Sequence, residues 1–498
     1  MTVREALENL EALEAKMYAH RHAMSLMYYD AMTTAPTGGS EARGRALKEL
    51  SREDRDALID DRVRETLMTL DAARGEINEK AARQTQMLLE KLQDAERVPA
   101  DEAARAVTIR NRAETVWHEA KVKSDFEMFA PHLEQLLEIE KRLALYRRPD
   151  KDPYETCLDR YEKELDISQL EAFFAALRSE LVPLIRAVGE KPLPKDITGD
   201  FPVAGQRLLT DRLMALMGLD RRYCSVGETE HPFTDGFNKW DVRITTHYHE
   251  DAVLSSLYSV VHEGGHARSE LGVDDDLQFT CLAGGTSMSI HESQSRFYEN
   301  ILGRSRGFLS LVDGMLRDIF PEEMKKYTEE DVYRAANRSL PSLIRTQADE
   351  LTYALHVMIR FELEKRLFDG SLRVKDLPGE WNRMYREVLG VKVPCDREGV
   401  LQDSHWSGAM FGYFPSYALG SAYGAQMLHA MKKTVDVDAS VSRGDLAPVT
   451  AWLKARVHRF GRLKKPAEVL NSAFDGESFS AGYYVGYLKD KYTALYGL

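Results

Sequence analysis

The stretch Val253-Leu-Ser-Ser-Leu-Tyr-Ser-Val-Val-His262-Glu263-Gly264-Gly265-His266 decides how this chain is read. Val253, Leu254, Leu257, Tyr258, Val260 and Val261 recur at helical spacing, so the H-E-x-x-H pattern that ends the stretch is predicted to lie on an amphipathic helix. There, residues i and i+4 sit one above the other and both imidazoles can reach one ion. Glu263 then projects beside that ion and not onto it, placed to take a proton from a water held there. Zinc lowers the pKa of such a water from about 15.7 to about 7. Gly264 and Gly265 each cost about 1 kcal/mol relative to Ala inside a helix. Close approach of a neighbouring helix or of a substrate backbone is therefore expected there.

Working outward, six of the 14 histidines (His231, His247, His249, His262, His266 and His291) fall within 61 residues. A catalytic zinc of this type needs a third protein ligand and an open fourth position. Ile290-His-Glu-Ser-Gln-Ser295 opens the next helical run, through Phe297, Tyr298 and Ile301, and Glu292 is the candidate third ligand of a His2Glu site. His291 is the alternative ligand, and a capping carboxylate at a helix start is the other reading of Glu292. His247 and His249 form an H-x-H pair that could ligate metal by itself, but next to the strand candidate Asp241–Thr246 they read as substrate-side or packing residues.

Most of the remaining chain reads as helix. Leu7, Leu10, Leu13 and Met17 recur at helical spacing, Thr2 and Glu5 offer a capping box, and only Pro36 occurs before Pro99. The pattern continues from Asp101 to Tyr146 with Pro131 as its one interruption, so most of residues 1–147 is predicted α-helical. Pro149 to Pro153 and Gly189 to Pro202 read as loops. Asp241-Val-Arg-Ile-Thr-Thr246 alternates polar and β-branched residues and is the best strand candidate. After Ala252 the chain is mainly helical again, so the fold class is mainly α with one small β-sheet.

The 498 residues are 43% apolar and 30% charged, which excludes a disordered or fibrous protein. With 67 Lys plus Arg against 80 Asp plus Glu, a net charge of −13 argues against nucleic acid and anionic membrane surfaces as partners. Cys157, Cys224, Cys281 and Cys395 lie far apart with no CxxC pair, which points to a reducing, cytoplasmic home. The first residues carry Glu5, Glu8 and Glu11 and lack the apolar core of a secretory signal. Ser404 to Met431 is uncharged but contains Pro415, four glycines and Gln426, and reads as a polar-lined buried segment, not a membrane span.

Six motifs in order carry a resemblance that no single one could. They are HPF at His231–Phe233, DxRxT at Asp241–Thr245, HExxH at His262–His266, HESQ at His291–Gln294, IRxxAD at Ile344–Asp349 and GxxQDxHW at Gly399–Trp406. The chain resembles the carboxypeptidase Taq (M32) family of metallocarboxypeptidases over essentially its whole length. Tyr29-Asp30 to Pro36-Thr-Gly-Gly39 looks like that family's Trp-Asp…Met-Pro-x-Gly-Gly stretch with the Trp and Met replaced, outside the catalytic motifs. The resemblance implies a large helical, groove-forming body similar to angiotensin-converting enzyme and neurolysin, and a homodimer. It implies release of single residues from the free C-termini of peptides with broad specificity, except where proline precedes. It also implies zinc, or in some members cobalt, held by His262, His266 and Glu292, with Glu263 as general base.

Further roles follow from what that reaction needs. A free α-carboxylate suits the planar fork of arginine; Arg345 is the first candidate and Arg243 the second. The alternatives are ion pairs, Arg243 with Asp241 and Arg345 with Asp349. The oxyanion needs a neutral donor beside the metal, for which Tyr417 comes first, then Tyr413, with His405 also a candidate; either tyrosine could instead be a core residue. His231 is expected to help form the substrate end of the groove. Asp349 or Asp403 would orient a ligand histidine. At this length two or three domains are the default, yet motifs spanning His231 to Trp406 favour one body over residues 1–498. Its parts would be an N-terminal helical lid region (1–147), a catalytic core (200–430) and C-terminal helices (431–498).

Overall fold

The computed structural model describes residues 1–498. The first part of the chain forms α1 (Val3–Thr33), α2 (Ser40–Leu58), α3 (Asp61–Ala72), α4 (Glu79–Arg97), α5 (Ala100–Lys123), α6 (Phe126–Arg147) and α7 (Pro153–Leu158). The capping box of α1 closes as the sequence suggests: the Thr2 N–H donates to Glu5 Oε2 at 2.7 Å and the Glu5 N–H to Thr2 Oγ1 at 3.2 Å. The interruption expected at Pro131 falls instead at Ser124, which takes φ +56° and ends α5. Asp125 then caps α6, and Pro131 sits inside it near the N-terminal end, where its missing N–H removes a single intrahelical bond.

Next come α8 (Ile167–Gly189), α9 (Val203–Leu216) and three strands, β1 (Cys224–Glu228), β2 (Thr234–Asn238) and β3 (Asp241–Thr246). The strand predicted at Asp241–Thr246 is the centre of the sheet. Its order is β1-β3-β2, with β1 parallel and β2 antiparallel to β3. Val242 and Ile244 are fully buried on one face, while Arg243 alternates onto the other.

The motif helix α10 (Val253–Gly272) follows, then α11 (Met288–Arg296), which continues into a π-helical turn at Phe297–Leu302 where a plain α-helix was expected. After them run α12 (Arg306–Ile319), α13 (Pro321–Met324), α14 (Glu329–Ala336), α15 (Tyr353–Phe368), α16 (Leu377–Leu389) and α17 (Pro415–Lys432). Four helices close the chain, α18 (Val437–Ser442), α19 (Ala447–Arg456), α20 (Pro466–Ala473) and α21 (Ala481–Tyr496). No helix is long and apolar enough to cross a membrane. The uncharged run is mostly α17, buried along nearly its whole length.

One apolar core of 97 buried residues runs from Ala113 to Tyr496. A second core of 13 residues joins α1, α3 and α4 to the segment Val273 to Leu282. Residues 1–147 are thus two parts. Helices α5 and α6 enter the main core through Ala113, Trp117, Phe126 and Phe129, whereas α1, α3 and α4 dock on it from outside. Buried Glu14 of α1 helps hold that docking, accepting the Cys281 N–H at 2.9 Å and Gln84 Nε2 at 2.9 Å.

The packing that positions the site is α10 against α11 against α17. A Cβ at Gly265 would lie 2.7 Å from both the Gln294 carbonyl oxygen and the Ser295 Cα of α11. On the far side of α11, a Cβ at Gly420 of α17 would lie 2.7 Å from Glu292 Cγ. The close neighbour expected at the motif glycines is therefore a helix. Gly264 differs, because its Cβ would meet the flexible end of Met217 at 2.6 Å. We predict that Gly265→Ala destabilises the protein by about 1–3 kcal/mol through overpacking against backbone. Gly264→Ala should cost less, and exposed Gly314→Ala in α12, with nothing near its Cβ, should stabilise by about 0.5–1 kcal/mol. Urea unfolding of the three variants checks the order.

Candidate metal and catalytic centre

Helix α10 presents His262 and His266 one turn apart, and the glycine contact brings Glu292 of α11 up to both. Glu292 Oε2 lies 3.9 Å from His262 Nε2 and 3.5 Å from His266 Nε2, and the three donor atoms lie within 4.8 Å of one another. Glu292 stands in the second turn of α11, whose cap is Ser287, so it is not a capping carboxylate. His291 does not join the cluster: its Nε2 pairs with Glu270 Oε1 at 2.9 Å and its ring stacks on His266 at 4.3 Å.

The other polar atoms of two of these donors are engaged. His262 Nδ1 lies 2.8 Å from Glu299 Oε2, and Glu292 Oε1 accepts from Arg296 Nε at 2.7 Å. That leaves His262 Nε2 and Glu292 Oε2 directed at a common point with His266 Nε2. Three acceptors converging in a buried place repel one another unless a cation lies between them, and two imidazoles with one carboxylate are the donor set of a catalytic zinc. The residues therefore fit a divalent metal.

The carboxylate that orients a ligand histidine is Glu299, in the π-helical turn, and not Asp349 or Asp403. Asp349 is consumed by local structure, accepting Ser339 Oγ at 3.0 Å and the Leu351 and Thr352 N–H groups at 2.9 and 3.1 Å. Asp403 pairs with two arginines, described below. Burial alone would push the Glu299 carboxyl up, but Arg296, His262 and Arg304 outweigh it and hold it at about 2. Arg296 also bridges to Glu299 Oε2 at 3.1 Å, so one guanidinium ties the third ligand to the residue that orients the first. The sequence signal for both was their spacing, since Arg296 and Glu299 are four and seven residues on from Glu292 and share its helix face.

Glu263 is buried beside the cluster and accepts a 2.6 Å hydrogen bond at Oε2 from Thr234 Oγ1, at the start of edge strand β2. Burial pushes its carboxyl up, against the opposing effect of His262 and Thr234. Nothing in the sequence marked Thr234, which reaches Glu263 only because the sheet packs on α10.

A second cluster gathers His405, Tyr413, Tyr417 and Arg345, predicted from three separate motifs. His405 Nε2 lies 3.2 Å from Tyr417 OH, and its ring stacks on Phe414 at 4.4 Å. Burial, with the charge of Arg345, lowers the imidazole to about 3, so it is neutral. Tyr413 meets Tyr417 edge-on at 5.0 Å and Tyr161 at 4.9 Å. Burial raises both Tyr413 and Tyr417, so their phenols stay protonated, and Tyr417 lies on α17 three residues before Gly420, which packs on Glu292. Tyr161 and Tyr353 were not singled out by sequence.

Arg345 pairs with Asp403 and not with Asp349. Its Nε and Nη2 donate to Asp403 Oδ1 at 3.0 and 2.9 Å, and Nη1 donates to Tyr353 OH at 3.2 Å. Arg360 donates to Asp403 Oδ2 at 2.7 Å. Burial would raise Asp403, but Arg360 and Arg345 hold it far below the usual carboxylate range. Arg243 makes the ion pair offered as its alternative, with Asp241 at 2.7 Å. It lies between the rings of Tyr29 and Phe237, lining a cavity of about 920 Å³ on the α1 side of the sheet. His231 is exposed just before β2. His247 bonds the Thr229 carbonyl at 2.9 Å and packs on His249 at 4.5 Å, and neither joins the donor cluster.

An HExxH helix facing a glutamate on the next helix, in a mainly helical body, defines the class of helical metallopeptidases. Comparison narrows the class. The family model described as "Carboxypeptidase Taq (M32) metallopeptidase" matches residues 9–492. Carboxypeptidase 1 of Bacillus subtilis is 38% identical over 481 residues, covering 96% of each chain. Thermostable carboxypeptidase 1 of Pyrococcus furiosus is 34% identical over 499 residues, covering 98% of each. The crystal structure of the M32 carboxypeptidase from Deinococcus radiodurans superposes with a TM-score of 0.95 at 35% identity, covering 99% of this chain and all of that one. The chain belongs to the carboxypeptidase Taq (M32) family of metallopeptidases.

Removing the charge of the orienting carboxylate should weaken the metal site without unfolding the protein. Glu299→Gln is expected to lower divalent-metal affinity by about ten-fold or more. Competition with a chromogenic chelator reads it, and unchanged affinity would reject the orienting role.

Proposed function

We propose that the protein is a zinc, or cobalt, carboxypeptidase that releases single residues from the free C-termini of peptides, with broad specificity except where proline precedes. The observation that carries this reading is the convergence of His262 Nε2, His266 Nε2 and Glu292 Oε2 beside a buried Glu263. When bound, the ion supplies Lewis-acid polarisation of the scissile carbonyl and a water acidic enough to attack at neutral pH.

The chain's own residues do the rest. Glu263, aimed by Thr234, takes the proton from the attacking water and delivers it to the departing amine. Tyr417, its hydroxyl held by neutral His405, donates to the carbonyl oxygen as negative charge develops there, with Tyr413 as the neighbouring donor. Arg345, Arg360 and Asp403 together carry one net positive charge next to these phenols. That excess, with the N–H groups of Arg345 not spent on Asp403 or Tyr353, suits it to the substrate's α-carboxylate. Arg243 suits the role less, because the sheet lies between it and α10. His231, exposed ahead of β2, would help form the substrate end of the groove. Zinc or cobalt as the ion, the homodimer, the lid role of the N-terminal helices and a cytoplasmic home belong to the same reading. Four free cysteines, three of them buried, support the last.

Mass spectrometry of a digested peptide tests the reaction. A ladder losing one residue at a time is expected, and a C-terminal amide should block it. Steps of two residues or internal cuts would instead mark a dipeptidyl carboxypeptidase or an oligopeptidase. Chelation should abolish turnover, with recovery on adding Zn²⁺ or Co²⁺. Glu263→Gln should retain metal yet lose at least about a hundred-fold in kcat; a wild-type rate in that variant would remove Glu263 as the base.

A further inference from the structure

A second cavity, of about 720 Å³, lies between α4, the α6–α7 connection, the loop that enters α11 and the segment around Arg462. In a chain of net charge −13 its wall carries seven cations against four carboxylates, of which Asp159 and Glu164 pair with Lys151 and Lys465. Arg148, Arg160 and Lys163 are answered by Asp94, Glu140 and Glu90. Four others have no carboxylate. Arg83 Nε donates only to the Arg462 carbonyl and its Nη1 to Gln86, and Arg462 Nε donates to the Gly285 carbonyl. Lys91 makes no ion pair, and Arg147 Nη1 is buried with no hydrogen-bond partner at all. The four side chains thus bring positive charge to the cavity wall that no carboxylate of the chain pairs, and an anion bound there would meet it. Burial disfavours the charged forms of Arg147 and Arg462, reinforced at Arg147 by Arg160 and opposed at Arg462 by Glu270.

The cavity adjoins the catalytic centre. Tyr161 lines it and packs edge-on against Tyr413, and Ser287 and Met288 in its wall begin the helix that carries Glu292. Tyr161, Tyr413 and Tyr417 form a row with the cavity at one end and Arg345, 4.8 Å from the Tyr417 ring, at the other. If Arg345 takes the substrate's α-carboxylate and Tyr417 and Tyr413 the carbonyl oxygen, as proposed above, the end of this series at Tyr161 is left for residues upstream of the scissile bond.

We propose that this cavity is a subsite for an acidic side chain of the peptide substrate, upstream of the scissile bond, bound by Arg147 with Arg462, Arg83 and Lys91. The inference rests on the carboxypeptidase reading. Its test uses the metal-loaded full-length enzyme and alanine-based pentapeptides carrying Glu or Gln at each upstream position in turn. At one position Glu should exceed Gln in kcat/KM by about ten-fold or more. That ratio should shrink as salt is raised and fall to about one in Arg147→Gln. A ratio of about one at every position in the native enzyme overturns the subsite. So does an unchanged ratio in Arg147→Gln, or in Arg462→Gln should the first variant not fold. Failure to hydrolyse even the Gln peptides overturns the carboxypeptidase reading itself, and so is told apart from failure of the subsite.

Discussion

Backbone contact between α10 and α11 at Gly265 is the constraint on which the centre depends. Metal ligands on two helices must agree to within fractions of an ångström, and side chains between the helices would hold them apart. Glycine removes that spacer, and Gly420 does the same on the other side, so α11 is clamped between α10 and α17. The clamp is stitched at its ends. Buried Glu162 accepts from the Ser289 N–H at 2.5 Å and from Ser416 Oγ at 2.8 Å, joining the first turns of α11 and α17. Gln294 Oε1 lies 2.7 Å from His458 Nε2, fixing α11 to the C-terminal region. Helix propensity given up at the motif glycines is thus exchanged for position.

Charge is handled by the same economy of place. Two buried networks flank the candidate centre: Arg296 and Arg304 around Glu299, and Arg345 and Arg360 around Asp403. Each sets two cations on one carboxylate. Buried ion pairs add little net stability because desolvation offsets their attraction. Their effect here is geometric: the first aims the metal ligands, and the second leaves one positive charge beside the phenols of Tyr413 and Tyr417. An acidic protein can therefore handle anionic groups, since local excess and not total charge sets the field a bound carboxylate meets.

Much of this was legible in the sequence. The helical periodicity of Val253 to His266, the capping box at Thr2, the alternation of Asp241 to Thr246 and the convergence of His262, His266 and Glu292 all depend on residues close in the chain, whose spacing acts through helix and strand geometry. Misreadings came where a local rule met a distant partner. Pro131 was tolerated inside a helix while Ser124 ended one. Asp349, four residues from Arg345, was already spent on its own turn, so Arg345 took Asp403 instead. Glu299 was passed over for Asp349 and Asp403, although its spacing from Glu292 places it on the same helix face.

The sequence by itself determined the class of fold and the three converging donors, and placed Glu263 beside them, because periodicity, i and i+4 spacing and ordered motifs are local properties of the chain. Only the tertiary structure decided which carboxylate orients His262, that Thr234 aims Glu263, which side of the sheet holds Arg243, and that Arg147 is left without a partner. Each is a contact between residues distant in sequence, and close packing of the helices, which no single segment encodes, chooses among the partners that local chemistry allows.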